Sequence, residues 1–589
     1  MFDLSYKKNK NSVLFSEFEK EDLTNLKHPQ NYIPLYNTFF SLNETNWNSI
    51  NLNNSKHIQN IYSRETDSEN TFTIKANNKL LKSFFKFSPL IDPVKYMYGK
   101  YSNNTDEQIY TLPTLDDVKN NDLNHVQERM LRKNNVSYVD GFFSYLSSKL
   151  KDSHGFINGQ EYYGSFLGIK NNFKFNIFED IEYLSDSNYF FENSGKIFTI
   201  DEEYQELFKS QSRKNKLPLN IDESAEIETL DHVQHIDTID PSINDIFVCE
   251  NPSTNIIDLQ DVDISDNELV FEFNLPEHKE LDNNSGKDCD TSSSSNCSSR
   301  TSATSHNSGN ENSESVNTGS ESGSDTDSDT YSTLSDDVIN ATIKKIPVQV
   351  ICQEKLVETL DDYMNGCDVC DDEWVCIFSQ IIFSLLLYQK VFDFTHNDLH
   401  TNNIMYNETD EEFVFYKYKK EYYKVRTFGK IWKIIDFGRA IYTFKGKLIV
   451  SDSYHKNEDA GTQFNFGEYY NKDKPLVKPN QAFDLCRLGC SLFDFFFDSI
   501  KDTKDCEDNL SKLIKEWCED DNKKNILYKD NDKERYPGFK LYKMITRSVT
   551  KHTPENQLKN PLFSRLKSSR RHLKKSSVVV DIDKIPSYV

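Results

Sequence analysis

The sequence predicts an α+β fold with a small antiparallel sheet in its first part, a mostly helical second part and a large disordered insert between them. Three observations predict it. Short β-rich runs punctuated by Gly and Asn fill residues 162–200. Wholly apolar or amphipathic helical runs dominate from residue 373 onward. Residues 209–345 carry too few apolar side chains to offset the entropy of ordering, roughly 1–2 kcal/mol per residue.

The 589 residues include 69 Lys plus Arg and 94 Asp plus Glu, a formal charge of −25. That length allows roughly two to four domains at about 150 residues each. The acidic balance excludes a protein that coats nucleic acid over its whole surface. The 11 Cys are an odd set in a chain too large to need disulfide staples, which reads as free thiols in a reducing compartment. Cys367 and Cys370 form one C-x2-C pair with no second pair to complete a zinc site. The N-terminus lacks the apolar run of a secretory signal. The most apolar stretch, Trp374 to Tyr388, is shorter than the roughly 18 residues a membrane span needs. The expectation is an intracellular protein, cytoplasmic or nuclear, without a membrane partner.

Taken in order, residues 1–80 are polar and Asn-rich and read as an N-terminal extension without an assignable fold. Residues 81–208 are globular in pattern. Phe142, Phe143, Leu146 and Leu150 fall on one helical stripe within 139–150. The runs 162–169, 173–183 and 189–200 read as consecutive strands. The segment 209–345 is the acidic insert, its second half rich in Ser and Thr. Ser324, Thr326 and Ser328 lie near acids and could accept phosphate, or the stretch is a solvated spacer. Residues 346–566 are globular again. A strand is expected over 347–356, a buried helix over 373–390, two strands around the 408–412 loop and a third over 431–437. Helices follow over 482–497 and 509–518. The tail, 567–589, completes a basic cluster that begins at Arg565, read as a nuclear-import or nucleic-acid patch or as a solvated end.

Two short segments carry chemistry: His396-Asn397-Asp398-Leu399-His400-Thr401-Asn402-Asn403, and Asp436-Phe437-Gly438. Phosphoryl transfer needs one carboxylate to orient the acceptor hydroxyl and take its proton. It also needs hard oxygen ligands to hold Mg2+ against the nucleotide phosphates. Asp398 supplies the first carboxylate. Asn403, on the same loop, and Asp436, on the next turn, supply the metal ligands.

These segments resemble the protein kinase superfamily. His396 to Asn403 fits its H-x-D-x-x-x-x-N catalytic loop, and Asp436-Phe437-Gly438 fits its metal-binding turn. Asp484-Leu485-Cys486-Arg487-Leu488-Gly489 is similar to a third family motif, whose Asp anchors the catalytic loop through backbone amides. Several segments of the chain are also similar to kinase-like proteins of large DNA viruses, which would place it in a host cell. The resemblance implies a bilobal protein-kinase-like fold and a Ser/Thr protein kinase that uses ATP and Mg2+ on protein substrates. Asp398 would be its catalytic base, with Asn403 and Asp436 as its metal ligands. Gln353 to Tyr363 would form the hinge, where backbone groups meet adenine. Nucleic acid is not an expected partner except through the basic tail.

The departures keep other readings open. Asn397 stands where the family carries Arg, and His400 where Ser/Thr kinases carry Lys. No glycine-rich phosphate loop is found. Lys170, in Leu167-Gly168-Ile169-Lys170, is a candidate for the phosphate-binding Lys, or a surface Lys at a strand end. Gly461-Thr462 is a candidate for the substrate-loop pair. The alternatives are a small-molecule phosphotransferase of the aminoglycoside- or choline-kinase-like type and a pseudokinase that kept only binding.

Overall fold

Bulged strands in the Asn-rich N-terminal residues explain why their sequence resists reading. The computed structural model describes residues 2–66, 68–120, 122–201 and 339–589. Among them the fold is α+β, with largely antiparallel sheets. The main sheet has seven strands. Six run in the order Leu26–Gln30, Tyr162–Asn176, Asn340–Glu354, Lys79–Pro89, Thr71–Ala76 and Ile58–Arg64, and Phe198–Ile200 also pairs with Asn340–Glu354. Residues 1–80, expected as an extension, therefore supply three strands of this sheet and the start of a fourth, and Tyr6–Lys8 pairs with Ile50–Leu52 in a separate ribbon. Phe72, Ile74 and Ala76 point into the core while Thr73 and Lys75 are half-buried, a plain alternation. On the neighbouring strand, irregularities between Ile58 and Asn60 and between Ile61 and Ser63 break the two-residue period.

The runs at 162–169 and 173–183 are not two strands. Tyr162–Asn176 is a single strand, followed by helices Ile181–Ser185 and Asn188–Asn193 and then Phe198–Ile200. Its partner, Asn340–Glu354, lies beyond the insert and pairs with it from Tyr162 to Asn176. Of the segment 209–345, residues 340–345 begin this strand; the insert's disorder and its three candidate phosphate acceptors lie outside the described residues.

Helix Val136–His154 crosses the sheet. Asn135 accepts from Ser137 N–H to start it, and Gly155 ends it at φ +67°. All four residues of the predicted stripe are buried. A Cβ on Gly141 would lie 2.2 Å from the Gln349 amide nitrogen, so glycine lets the helix sit close against the central strand.

The second part is built on helix Asp371–Phe392, buried from Trp374 to Gln389. By length and composition it could cross a membrane, yet 94% of its apolar window is buried inside the protein. Strands Ile404–Glu408 and Lys430–Ile434 form a hairpin. An inserted ribbon, Phe413–Tyr418 with Glu421–Arg426, occupies the stretch between them. Lys567–Ser568 and Val578–Asp581 flank that ribbon on either side. The tail is thus folded onto the body, and Tyr588 is buried with its ring 4.4 Å from that of Phe2. Helices Phe483–Phe496 and Asn509–Trp517 match the sequence expectation closely.

Candidate functional site

A cleft of about 430 Å3 opens between the sheet and the Ile404–Glu408/Lys430–Ile434 hairpin. Strand Lys79–Pro89 shapes one wall. Its odd-numbered Phe85 packs on Phe18 and Phe72 behind the sheet. The even-numbered Phe84 and Lys86 face the cleft, and Ser88 bonds Ser137 of the crossing helix at 2.8 Å. Alternation therefore aims Lys86 at the helix and the cleft together. Its ammonium lies 2.7 Å from Asp140 Oδ2 and 2.9 Å from Asp436 Oδ1, and all three side chains are nearly fully buried.

Burial alone would lower the Lys86 pKa, but the charges of Asp140 and then Asp436 outweigh it and hold the ammonium protonated. Burial raises the Asp140 carboxyl, opposed chiefly by Lys86. Asp140 also accepts from Phe437 N–H at 2.9 Å, so the helix and the Asp436-Phe437-Gly438 turn are joined at one carboxylate.

The loop 396–403 is fixed from beneath. Asp484, at the start of helix Phe483–Phe496, accepts from His396 N–H at 3.0 Å and from Asn397 N–H at 2.9 Å. His396 Nε2 contacts the Ile435 carbonyl at 2.9 Å, tying the loop to the residue before Asp436. Asn397 takes a left-handed backbone, φ 65°, which Asn tolerates better than most side chains. Its amide donates to the Thr395 and Arg439 carbonyls. Asn at this position thus serves the loop's own geometry.

Asn403 and Asp436 both reach the cleft wall. The hairpin register pairs Ile404 with Ile434, and Ile435 N–H donates to the Asn403 carbonyl at 3.0 Å, which sets the two residues side by side. The Asn403 amide nitrogen bonds the Asp398 carbonyl and His400 Nε2, leaving its oxygen for another partner. One carboxylate and one amide oxygen at the wall suit a hard cation such as Mg2+, with phosphate oxygens and water completing its shell. Among the described residues no cluster of three His, Cys, Asp or Glu could hold a metal by itself.

Asp398 sits differently. It is only 1% exposed, its Oδ1 accepts from Tyr542 OH at 2.7 Å, and Arg439 lies 3.6 Å from its Oδ2. His400 is held neutral, its pKa pushed down to about 4 by burial, so it brings no fixed charge where Lys was expected.

Lys170 is not at the cleft. It donates to the Thr24 carbonyl at 2.7 Å and stacks over Phe87 on the far face of the sheet. The Lys at the cleft is Lys86, and the signal was a lone Lys inside Phe84-Phe85-Lys86-Phe87. Asp140 was missed as a lone acid on an apolar helix. Thr462 lends its carbonyl to Arg547 at 3.2 Å. Glu65, Thr66, Ser68, Glu69 and Asn70 border the cleft between strands Ile58–Arg64 and Thr71–Ala76, and the sequence 65–70 contains no glycine. No protein-family model and no curated protein matches the chain.

Proposed function

We propose that this chain is a protein-kinase-like, bilobal phosphotransferase that moves the terminal phosphate of ATP to Ser or Thr hydroxyls of proteins. The observation that carries the reading is Lys86 bridging Asp140 and Asp436 at the wall that also presents Asn403. Protein kinases place their phosphate-binding Lys on the third strand, paired with an acid on the following helix, and need that pair and the metal-binding Asp in place together. Lys86 follows Ile58–Arg64 and Thr71–Ala76 on the third strand of a meander, and Asp140 lies on Val136–His154, the long helix that crosses the sheet after three shorter helices between residues 93 and 131. The buried apolar trio Leu356, Met405 and Ile435 lines the cleft near Gln353, a surface suited to a planar base.

In this reading Lys86 holds nucleotide phosphates, and Asn403 and Asp436 hold Mg2+, which neutralises phosphate charge when bound. Asp398 accepts the acceptor's proton once Tyr542 gives way. The closed Asp398 and the acidic, glycine-free loop 65–70 favour a second reading, a module that binds nucleotide without transferring phosphate.

Radiolabelled ATP offered with a generic basic protein, and separately with aminoglycoside and choline pools, separates these readings. Label on protein Ser or Thr is the expected result. Label on a small molecule alone moves the assignment to that class, and ATP binding without label selects the binding module.

A further inference from the structure

The loop downstream of Asp436 is gripped by cations from a region the sequence left unassigned. Glu458 lies 2.6 Å from Lys95, 2.5 Å from Arg129 and 3.8 Å from Arg132, and its side chain is 10% exposed. Lys95 belongs to helix Pro93–Tyr98, Arg129 to helix His125–Leu131, and Arg132 caps the latter. Six residues before Glu458, the fully buried Asp452 lies 3.6 Å from Arg132, accepts from Val136 N–H at 2.9 Å and donates its own N–H to the Asn134 carbonyl at 2.8 Å. Val136 begins the helix that carries Asp140 one turn later. The grip therefore sets the downstream loop and the Lys86 partner in one register.

We propose that Glu458 is a positioning residue filling a built-in anion pocket of Lys95, Arg129 and Arg132, so that the site is held in working order without phosphate on this loop. The inference rests on the phosphotransferase reading above. Ser451, Ser453 and Tyr454, the hydroxyl residues flanking Asp452, are buried and closed to a modifying enzyme, while Thr462, past Glu458, is exposed and is the residue that phosphatase treatment addresses. Asn397 stands where an Arg would meet a phosphorylated loop, and its side chain is committed to backbone carbonyls. The pocket already holds its anion.

The test uses full-length protein, with phosphate transfer and hydrogen–deuterium exchange as separate readouts. Glu458→Ala is expected to lower kcat/KM about tenfold or more, as losing one partner of a buried charge cluster should. Exchange should quicken over 452–461 and at the start of the Val136–His154 helix. Millimolar inorganic phosphate should restore both readouts in Glu458→Ala, and lose that power when Arg129→Ala is added. Phosphatase treatment should leave the wild type unchanged. Wild-type rate and exchange in Glu458→Ala, a failed phosphate rescue, or a wild type silenced by phosphatase would each overturn the proposal. Should Glu458→Ala not fold, Glu458→Gln keeps the shape and serves the same readouts. A wild type that transfers no phosphate counts against the functional reading, while the exchange and rescue data still decide the clamp.

Discussion

The Tyr542 phenol donates to Asp398 Oδ1 at 2.7 Å, and Arg487 Nε donates to the same phenol oxygen at 2.9 Å. Burial raises the Tyr542 pKa against the pull of Arg487, so the phenol keeps its proton and remains the donor. Tyr542→Phe removes that bond and should raise the rate of phosphate transfer, since the phenol no longer has to leave Asp398 before an acceptor hydroxyl can reach it. A rate equal to wild type would show that the contact does not limit turnover.

Asp398→Asn separates proton transfer from nucleotide binding. A positioned general base typically contributes about 10²–10⁴ in rate, and turnover should fall by that order. ATP affinity should stay near wild type, because Lys86, Asn403 and Asp436 line the cleft without it. Full activity in Asp398→Asn would remove the base from this loop.

The proposed metal ligands are tested by binding. In wild type, ATP with Mg2+ should raise Tm more than ATP alone. Asp436→Ala should lose that metal-dependent increment. It also frees Lys86 from one of its two acids, so Lys86→Met is the companion variant, expected to weaken ATP binding with or without metal. Equal metal-dependent stabilisation in wild type and Asp436→Ala would take Asp436 out of the metal site.

The second half of the chain was legible because its candidate site residues lie in short contiguous runs. Asp398 and Asn403 share one loop, and Asp484 anchors it as the motif implies. The Lys86–Asp140 pair was not legible, since each partner is a single charged residue in an apolar element and only the sheet's alternation and the helix crossing bring them together. The N-terminal strands were hidden by bulges and Asn, and the tail by a basic run that masks Val578–Asp581 and the buried Tyr588. The Glu458 pocket draws its cations from two helices and a cap residue that carry no motif.

His400 makes stability depend on pH. Its folded pKa of about 4 lies below the ordinary value of 6.5 because burial penalises the charged ring. The unfolded chain then binds the extra proton first, so its contribution is intact above pH 6.5 and is lost as pH falls toward 4. The loss is about 3 kcal/mol at most. His57 shifts in the same direction to about 4, also by burial, and adds to the same window. Urea melts between pH 7 and 4.5 should show His400→Gln with a shallower decline than wild type; parallel declines would mean that the ring is charged in the fold.

Gly489 closes the third motif for a packing reason. A Cβ there would lie 2.6 Å from the Trp517 Cβ and 3.3 Å from its backbone carbon, so helix Phe483–Phe496 touches helix Asn509–Trp517 with no room to spare. Gly489→Ala should cost about 1–3 kcal/mol, as overpacking does. The expected sign is a clear fall in Tm with the ATP-dependent increment retained. A neutral outcome would mean that the helices separate freely.

The ends of the long insert meet on the sheet. Ile200 pairs with Ala341, and Asp201 N–H donates to the Asn340 carbonyl at 3.3 Å. A short turn can therefore replace residues 202–338 without moving either strand. Closure entropy changes by only about 0.6 kcal/mol per doubling of loop length, so a loop of about eight residues should add roughly 2 kcal/mol of stability. The shortened chain is expected to fold with a Tm equal to or above the wild type and to bind ATP with Mg2+ equally well. A sharp drop in Tm would mean that residues 202–338 make contacts the rest of the fold depends on.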